Sequence, residues 1–293
     1  MKNTKKLMLL GAALILSACA KKEVPPAVAE PVPAQPVAAE AKKRVSAETV
    51  RMMELLRAVY GNEGAHEDYL VAQLPDHEEG HNATGSYRLE PVAMHELPDG
   101  RVAVVANAQQ LDEQGEAMAY HATSGLLSAY ILRKDGGKWT VEARHENIAE
   151  VGSNGVFGQV QWVSLGQGKP GFMVRHGGTW QGASVEFVSI FDLADGPMHD
   201  LAHSLSLSSD NEGACGEETS HCWSIEGKLQ FEKREGAAFD DVVLRFTGFE
   251  ENRGDDAPKN QARQHEERNG MARYKFDGQS YVLIEGENIV PGV

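Results

Sequence analysis

The sequence is poor in long apolar runs, in positive charge and in cysteine, and each shortage excludes something. Its longest apolar run, 7–16, holds ten residues, too few to cross a bilayer of about 30 Å as a helix. Lys and Arg number 28 against 43 Asp and Glu, a formal charge of −15. That balance argues against nucleic acid, whose phosphates call for a basic stripe. There are only three cysteines, Cys19, Cys215 and Cys222. No nucleophile elbow of the form G-x-S-x-G occurs; Gly152-Ser153-Asn154-Gly155 has the wrong spacing. There is no phosphate-cradling glycine loop with a following Lys and Ser or Thr. After Tyr60 no stretch sustains a helical period.

The first eighteen residues have the zones of a secretory leader. Lys2, Lys5 and Lys6 open it, the apolar run follows, and Ser17 and Ala18 close it. The ending Leu16-Ser17-Ala18-Cys19 resembles the lipobox of bacterial lipoproteins. That resemblance implies cleavage before Cys19 and a diacylglycerol on its sulfur, with the new amine acylated by a fatty acid such as palmitate. Two or three acyl chains hold a protein on a membrane stably where one does not. Ala20, rather than Asp, follows the cysteine, which by the sorting rule of enteric lipoproteins implies the outer membrane, with the folded part in the periplasm. Taking the leader's three lysines from −15 leaves −18 for the mature chain. With Cys19 lipidated, Cys215 and Cys222 remain as a pair in an oxidising compartment, and a disulfide stapling their short loop is the expectation. A redox pair would favour the tighter two-residue spacing.

Residues 19–45 are rich in Pro and Ala and cannot bury a core. As polyproline II they form a tether reaching on the order of 75 Å. Residues 46–61 read as one helix: Ser46 can cap it, Met52, Leu55, Leu56 and Val59 share a face, and Gly61 stops it. Residues 62–293 read as an all-β domain of short antiparallel strands, propeller-like or a sandwich. Strands are expected at 101–108, 126–132, 138–144, 158–165, 172–175, 184–191, 223–231, 242–246, 271–276 and 281–284. Asp135-Gly136-Gly137 and Asp277-Gly278 read as hairpin turns, and the echo between their surroundings suggests two equivalent hairpins. The polar stretch 250–269 reads as a mobile loop, and its Arg253-Gly254-Asp255 resembles an integrin-binding tripeptide.

One motif points to catalysis. His77-Glu78-Glu79-Gly80-His81 resembles the H-E-x-x-H signature of zinc metallopeptidases. In that family His77 and His81 would hold Zn²⁺ from one helix face, and Glu78 would act as base on the bound water. Here Glu79 and Gly80 fill positions where the family has apolar helix formers, and Pro75 lies just upstream. The zinc hydrolase is therefore the alternative expectation. The main one is a lipid-anchored envelope protein without catalytic activity, a binding or structural module for an envelope protein or glycan. Asp210-Asn211-Glu212-Gly213 lacks the ligand series of a calcium loop. Of the four tryptophans, Trp180 stands among Gly177, Gly178 and Gly182 and is the one expected at an exposed loop tip.

Overall fold

The computed structural model describes residues 45–75, 84–194, 196–254 and 256–292. Within them lie one α-helix and thirteen strands in two antiparallel sheets. No helix among the described residues is long and apolar enough to cross a membrane.

Helix α1, Ala47–Tyr60, starts where Ser46 Oγ accepts the Thr49 N–H at 3.0 Å and ends where the Gly61 N–H closes onto Arg57 O at 2.8 Å. Met52, Met53, Leu55, Leu56 and Val59 are buried at helical spacing. They cover the five-stranded meander β1 (Leu70–Pro75), β2 (Thr84–Glu96), β3 (Arg101–Gln110), β4 (Gly125–Asp135) and β5 (Lys138–Val151). A hydroxyl pair fastens the helix end to the sheet: Tyr60 Oη lies 2.9 Å from Tyr130 Oη and donates to Glu146 Oε1. Burial first, then the neighbouring Tyr130 and the hydrogen bond to Glu146, push the Tyr60 hydroxyl far above its usual range, so it stays protonated.

The second sheet is an eight-stranded meander. It runs β6 (Gln159–Gly166), β7 (Lys169–Trp180), β8 (Ala183–Asp192), β9 (Leu205–Asp210), β10 (His221–Glu232), β11 (Asp241–Asn252), β12 (Gln264–Phe276) and β13 (Tyr281–Gly286). Its Phe172, Val174, Phe191 and Leu193 pack against Ala103, Val105, Leu127, Ala129 and Ile131 of the first sheet. Side-chain alternation then explains the unbroken apolar run of β3. Val102, Val104 and Ala106 face the helix, while Ala103 and Val105 face the other sheet, so both faces are dry. Two facing sheets match the sandwich expectation; a propeller would set four-stranded blades around a channel.

The eight-stranded sheet also closes over a core of its own, built on Met173, Ile190, Ile225, Leu244 and Tyr274. Its two halves meet where the Asp240 N–H donates to Leu165 O at 2.7 Å and the Lys169 amine stands 5.1 Å over the Phe239 ring. The echoed hairpins are the last of each sheet, β4–β5 and β12–β13.

Two expectations change. The stretch 250–269 is strand at both ends and loop only between them: β11 runs on to Asn252 and β12 starts at Gln264, with Glu250 opposite Glu266 and Glu251 opposite His265. Like charges facing across strands would repel, but Arg268 bridges Glu250 and Glu266, and Arg263 pairs with Glu251 at 3.2 Å. Strands β1, β2 and β9 add to those expected; Pro91 interrupts β2 and stands where the register against β3 shifts.

Candidate functional site

The features that the packing does not require gather at one end of the molecule. There the loop 111–124 between β3 and β4, the link 152–158 between the sheets, and the β7–β8 turn at Gln181 and Gly182 come together. The link is held from beneath by two amides of β3. Asn107 Nδ2 donates to Gly155 O at 2.8 Å while Asn107 Oδ1 accepts the Phe157 N–H, and Gln109 Nε2 donates to the same Gly155 O at 3.0 Å. Gly155 sits at φ +73°, a conformation that side chains rarely adopt, and a Cβ there would lie 2.8 Å from Ala119 Cβ. The Gly155 N–H in turn donates to Thr123 O at 2.7 Å, fastening loop to link.

His121 joins all three segments. Its Nε2 lies 3.1 Å from Thr179 O, its Nδ1 lies 3.4 Å from Asn154 Oδ1, and its ring is 6.2 Å from that of Trp180. Asn154 and Gln181 both hold positive φ, +56° and +51°, a cost non-glycine residues bear where surrounding structure imposes it. Against this frame Tyr120 is 72% exposed, Val156 47%, Met118 42% and Trp180 37%. Trp180 is thus at an exposed turn, and Trp162 packs against Phe172 in the core between the sheets. Beside Tyr120 a cleft of about 180 Å³ opens, lined by Gln109, Gln110, Met118, Thr123 and Ser124 over the apolar floor of Ala108 and Leu126.

The segment behind the β7–β8 turn is stapled. Cys215 and Cys222 form a disulfide, Sγ–Sγ 1.99 Å with their Cα atoms 5.7 Å apart. Backbone at Gly213 and Ala214 lies so close to Gly182 that a Cβ there would sit 2.5 Å from Gly213 C. Arg263 Nη1 donates to Gly216 O and Thr219 O, and Arg253 Nη1 donates to Glu217 O and Lys259 O. That bonding, with Arg253 only 9% exposed, removes its guanidinium from any integrin-like recognition. Asn211 donates to His221 O and accepts the Trp223 N–H, so it braces the turn around the 3-10 helix Glu212–Ala214.

Other arrangements carry less. His176, one of several histidines scattered through the sequence without a motif, has its Nε2 3.1 Å from Ser189 Oγ. Ser189 is fully buried, and Asp200 spends its oxygens on the N–H groups of Ile190, Ala202 and Ser204. Burial pushes the His176 imidazole down to about 4, so it is a poor base at neutral pH. A second depression, about 520 Å³, lies by the opposite end of β3, where His95 stacks on Trp162 at 5.1 Å. Its cations are already engaged: Arg101 Nε binds Asp99 Oδ2 at 2.7 Å, and Lys169 stands over Phe239. Among the described residues no three His, Cys, Asp or Glu side chains are grouped to hold a metal. Cys19, His77, Glu78 and His81 lie outside the described residues. No family model, curated protein or solved structure matches this chain.

Proposed function

We propose that this chain is a lipid-anchored envelope protein, held at the outer membrane by acylated Cys19, whose β domain is a non-catalytic binding module facing the periplasm. The observation that carries the reading is the open end. Three segments from both sheets are locked together by Asn107, Gln109 and His121, and the result presents Tyr120, Met118 and Trp180 to solvent beside a cleft. Exposed aromatic groups on a braced frame suit recognition, where rigid rings bind at low entropic cost. Among the described residues the Ser189–His176 pair sets a hydroxyl beside an imidazole, but it is buried and serves the core. The leader and Leu16-Ser17-Ala18-Cys19 support the anchor.

Two measurements test the two halves. Metabolic labelling with a palmitate analogue is expected to mark the chain, and Cys19→Ser to abolish the label and release the protein from the membrane fraction. A photo-crosslinking residue at Tyr120 is expected to give discrete adducts in intact envelopes, whereas the same residue at exposed Lys228 gives none. Equal adducts from both positions would defeat the assignment of the binding surface.

A further inference from the structure

The geometry points to a neutral saccharide as the ligand of the Tyr120 cleft, one sugar ring seated in the cleft and the chain extending toward Trp180. This rests on the binding-module reading and adds a ligand class to it.

The lining makes the selection. Gln109, Gln110, Thr123 and Ser124 supply amides and hydroxyls, groups that both donate and accept, and no Lys, Arg or His lines the cleft. An anion would find no countercharge there and would approach a chain of net charge −15. The one charged group at the cleft, Glu150, is exposed, so its charge is screened by water and holds an organic cation weakly. A polyol needs what is left: paired donors and acceptors beside an apolar face.

Several of these polar groups are unspent. Gln110 and Ser124 are half-buried, and their side chains have no hydrogen-bond partner among the described residues. Gln109 commits Nε2 to Gly155 O and leaves its carbonyl oxygen without a hydrogen-bond partner among the described residues. Half-buried polar groups are ordinarily bonded to protein, water or ligand. The apolar element is Tyr120, whose ring is largely exposed although its backbone is fixed by the N–H bond to Thr123 Oγ1 at 3.0 Å. An exposed ring on a fixed backbone is suited to stack on the C–H face of a pyranose. Trp180, tied to the same loop through His121, offers a second ring face.

The test uses the full chain in detergent, titrated calorimetrically with glucose, galactose and N-acetylglucosamine and their short oligomers. Tetramethylammonium chloride and inorganic phosphate serve as comparison probes. One saccharide series is expected to bind one to one. Tyr120→Ala and Gln110→Ala each weaken it about tenfold, and Trp180→Ala weakens the oligomers more than the single sugar. Thermal melting is expected to show all three variants folded. Saccharide binding untouched by Tyr120→Ala and Gln110→Ala would overturn the assignment. Binding of tetramethylammonium without any saccharide would overturn the ligand class and leave the binding module standing. The same holds if no sugar binds while the crosslinker at Tyr120 still captures a protein. If no probe binds and Tyr120 captures nothing, both readings fall.

Discussion

Strand β3 leaves the sheet differently at its two ends. Beyond Arg101 it turns within 97–100, where the Leu97 N–H donates to Arg101 O at 2.8 Å and Asp99 binds both the backbone and the guanidinium of Arg101. Those bonds hold the Asp99 carboxyl below its usual range. Beyond Gln110 the chain instead opens into the loop 111–124, which is fastened to neighbours through Gly155 and His121. The closed end satisfies its polar groups locally. The open end leaves the Tyr120 ring in water, beside turns that Asn154 and Gln181 close at positive φ. The contrast separates what stabilises the molecule from what it presents.

The core between the sheets should respond most strongly. Phe172 is fully buried, its ring 4.8 Å from Phe191 and 5.7 Å from Trp162. Phe172→Ala should cost about 3–5 kcal/mol of stability, from lost burial and the cavity left behind. The folded fraction should keep its Tyr120-dependent binding. Urea unfolding combined with titration in the absence of urea checks this. A variant that stays stable yet loses binding would reverse the division between core and open end.

Acid comes next. His176 is held neutral because burial lowers its pKa from 6.5 to about 4, with the nearby Asp200 charge opposing that shift. The unfolded chain takes up the proton at higher pH. This contribution to stability is therefore whole above about pH 6.5 and is lost as pH falls toward 4, about 3 kcal/mol in all. His176→Gln should flatten the pH slope of the urea midpoint across that window. Parallel slopes for the two proteins would contradict it.

The disulfide should matter slightly less, and at the other place. Cys215→Ser with Cys222→Ser removes a short-loop crosslink worth about 2–3 kcal/mol. Because Gly213 and Ala214 back onto Gly182, the variant should also loosen the turn that carries Trp180. Fluorescence quenching of Trp180 in a chain whose other tryptophans are replaced by Phe should rise when the disulfide is removed. Unchanged quenching would mean that the staple serves stability alone.

How much of this could be read from the chain depends on the range of the interactions. The helix was legible because capping and apolar spacing are local: Ser46, Met52, Leu55, Leu56 and Val59 lie within one segment. The all-β class followed from Val-rich runs and from turns such as Asp135-Gly136-Gly137. The ribbon at 250–252 and 264–269 was not legible, because its outward residues are held by cross-strand pairs of Glu251 with Arg263 and Glu250 with Arg268. A solvent-facing strand with charges on both sides resembles a loop until its partner is known. The division into five and eight strands was equally hidden, since it lies where the chain leaves β5 for β6 through the link 152–158, and Asn107 reaches that link from 48 positions away. Trp180 could be suspected from its glycine neighbours. The cleft could not, because Gln110, Ser124 and Tyr120 meet Gly155 only once the first sheet, its loop 111–124 and the link 152–158 have come together.

The smallest stability effect should accompany the largest functional one. Tyr120 is 72% exposed, so Tyr120→Ala removes little buried surface and should change stability by no more than about 0.5 kcal/mol. Its backbone bond to Thr123 Oγ1 does not involve the ring and should survive the substitution. The ring is nevertheless the group placed over the cleft, and its loss should weaken saccharide binding about tenfold and silence crosslinking from neighbouring positions. Tyr120→Phe keeps the ring face and should retain most of the binding, which distinguishes stacking from a role for the hydroxyl. If Tyr120→Phe fails as badly as Tyr120→Ala, the hydroxyl is the recognised group. The cleft then works by hydrogen bonding alone, and the open end differs from the closed one in its unspent polar groups rather than in its exposed ring.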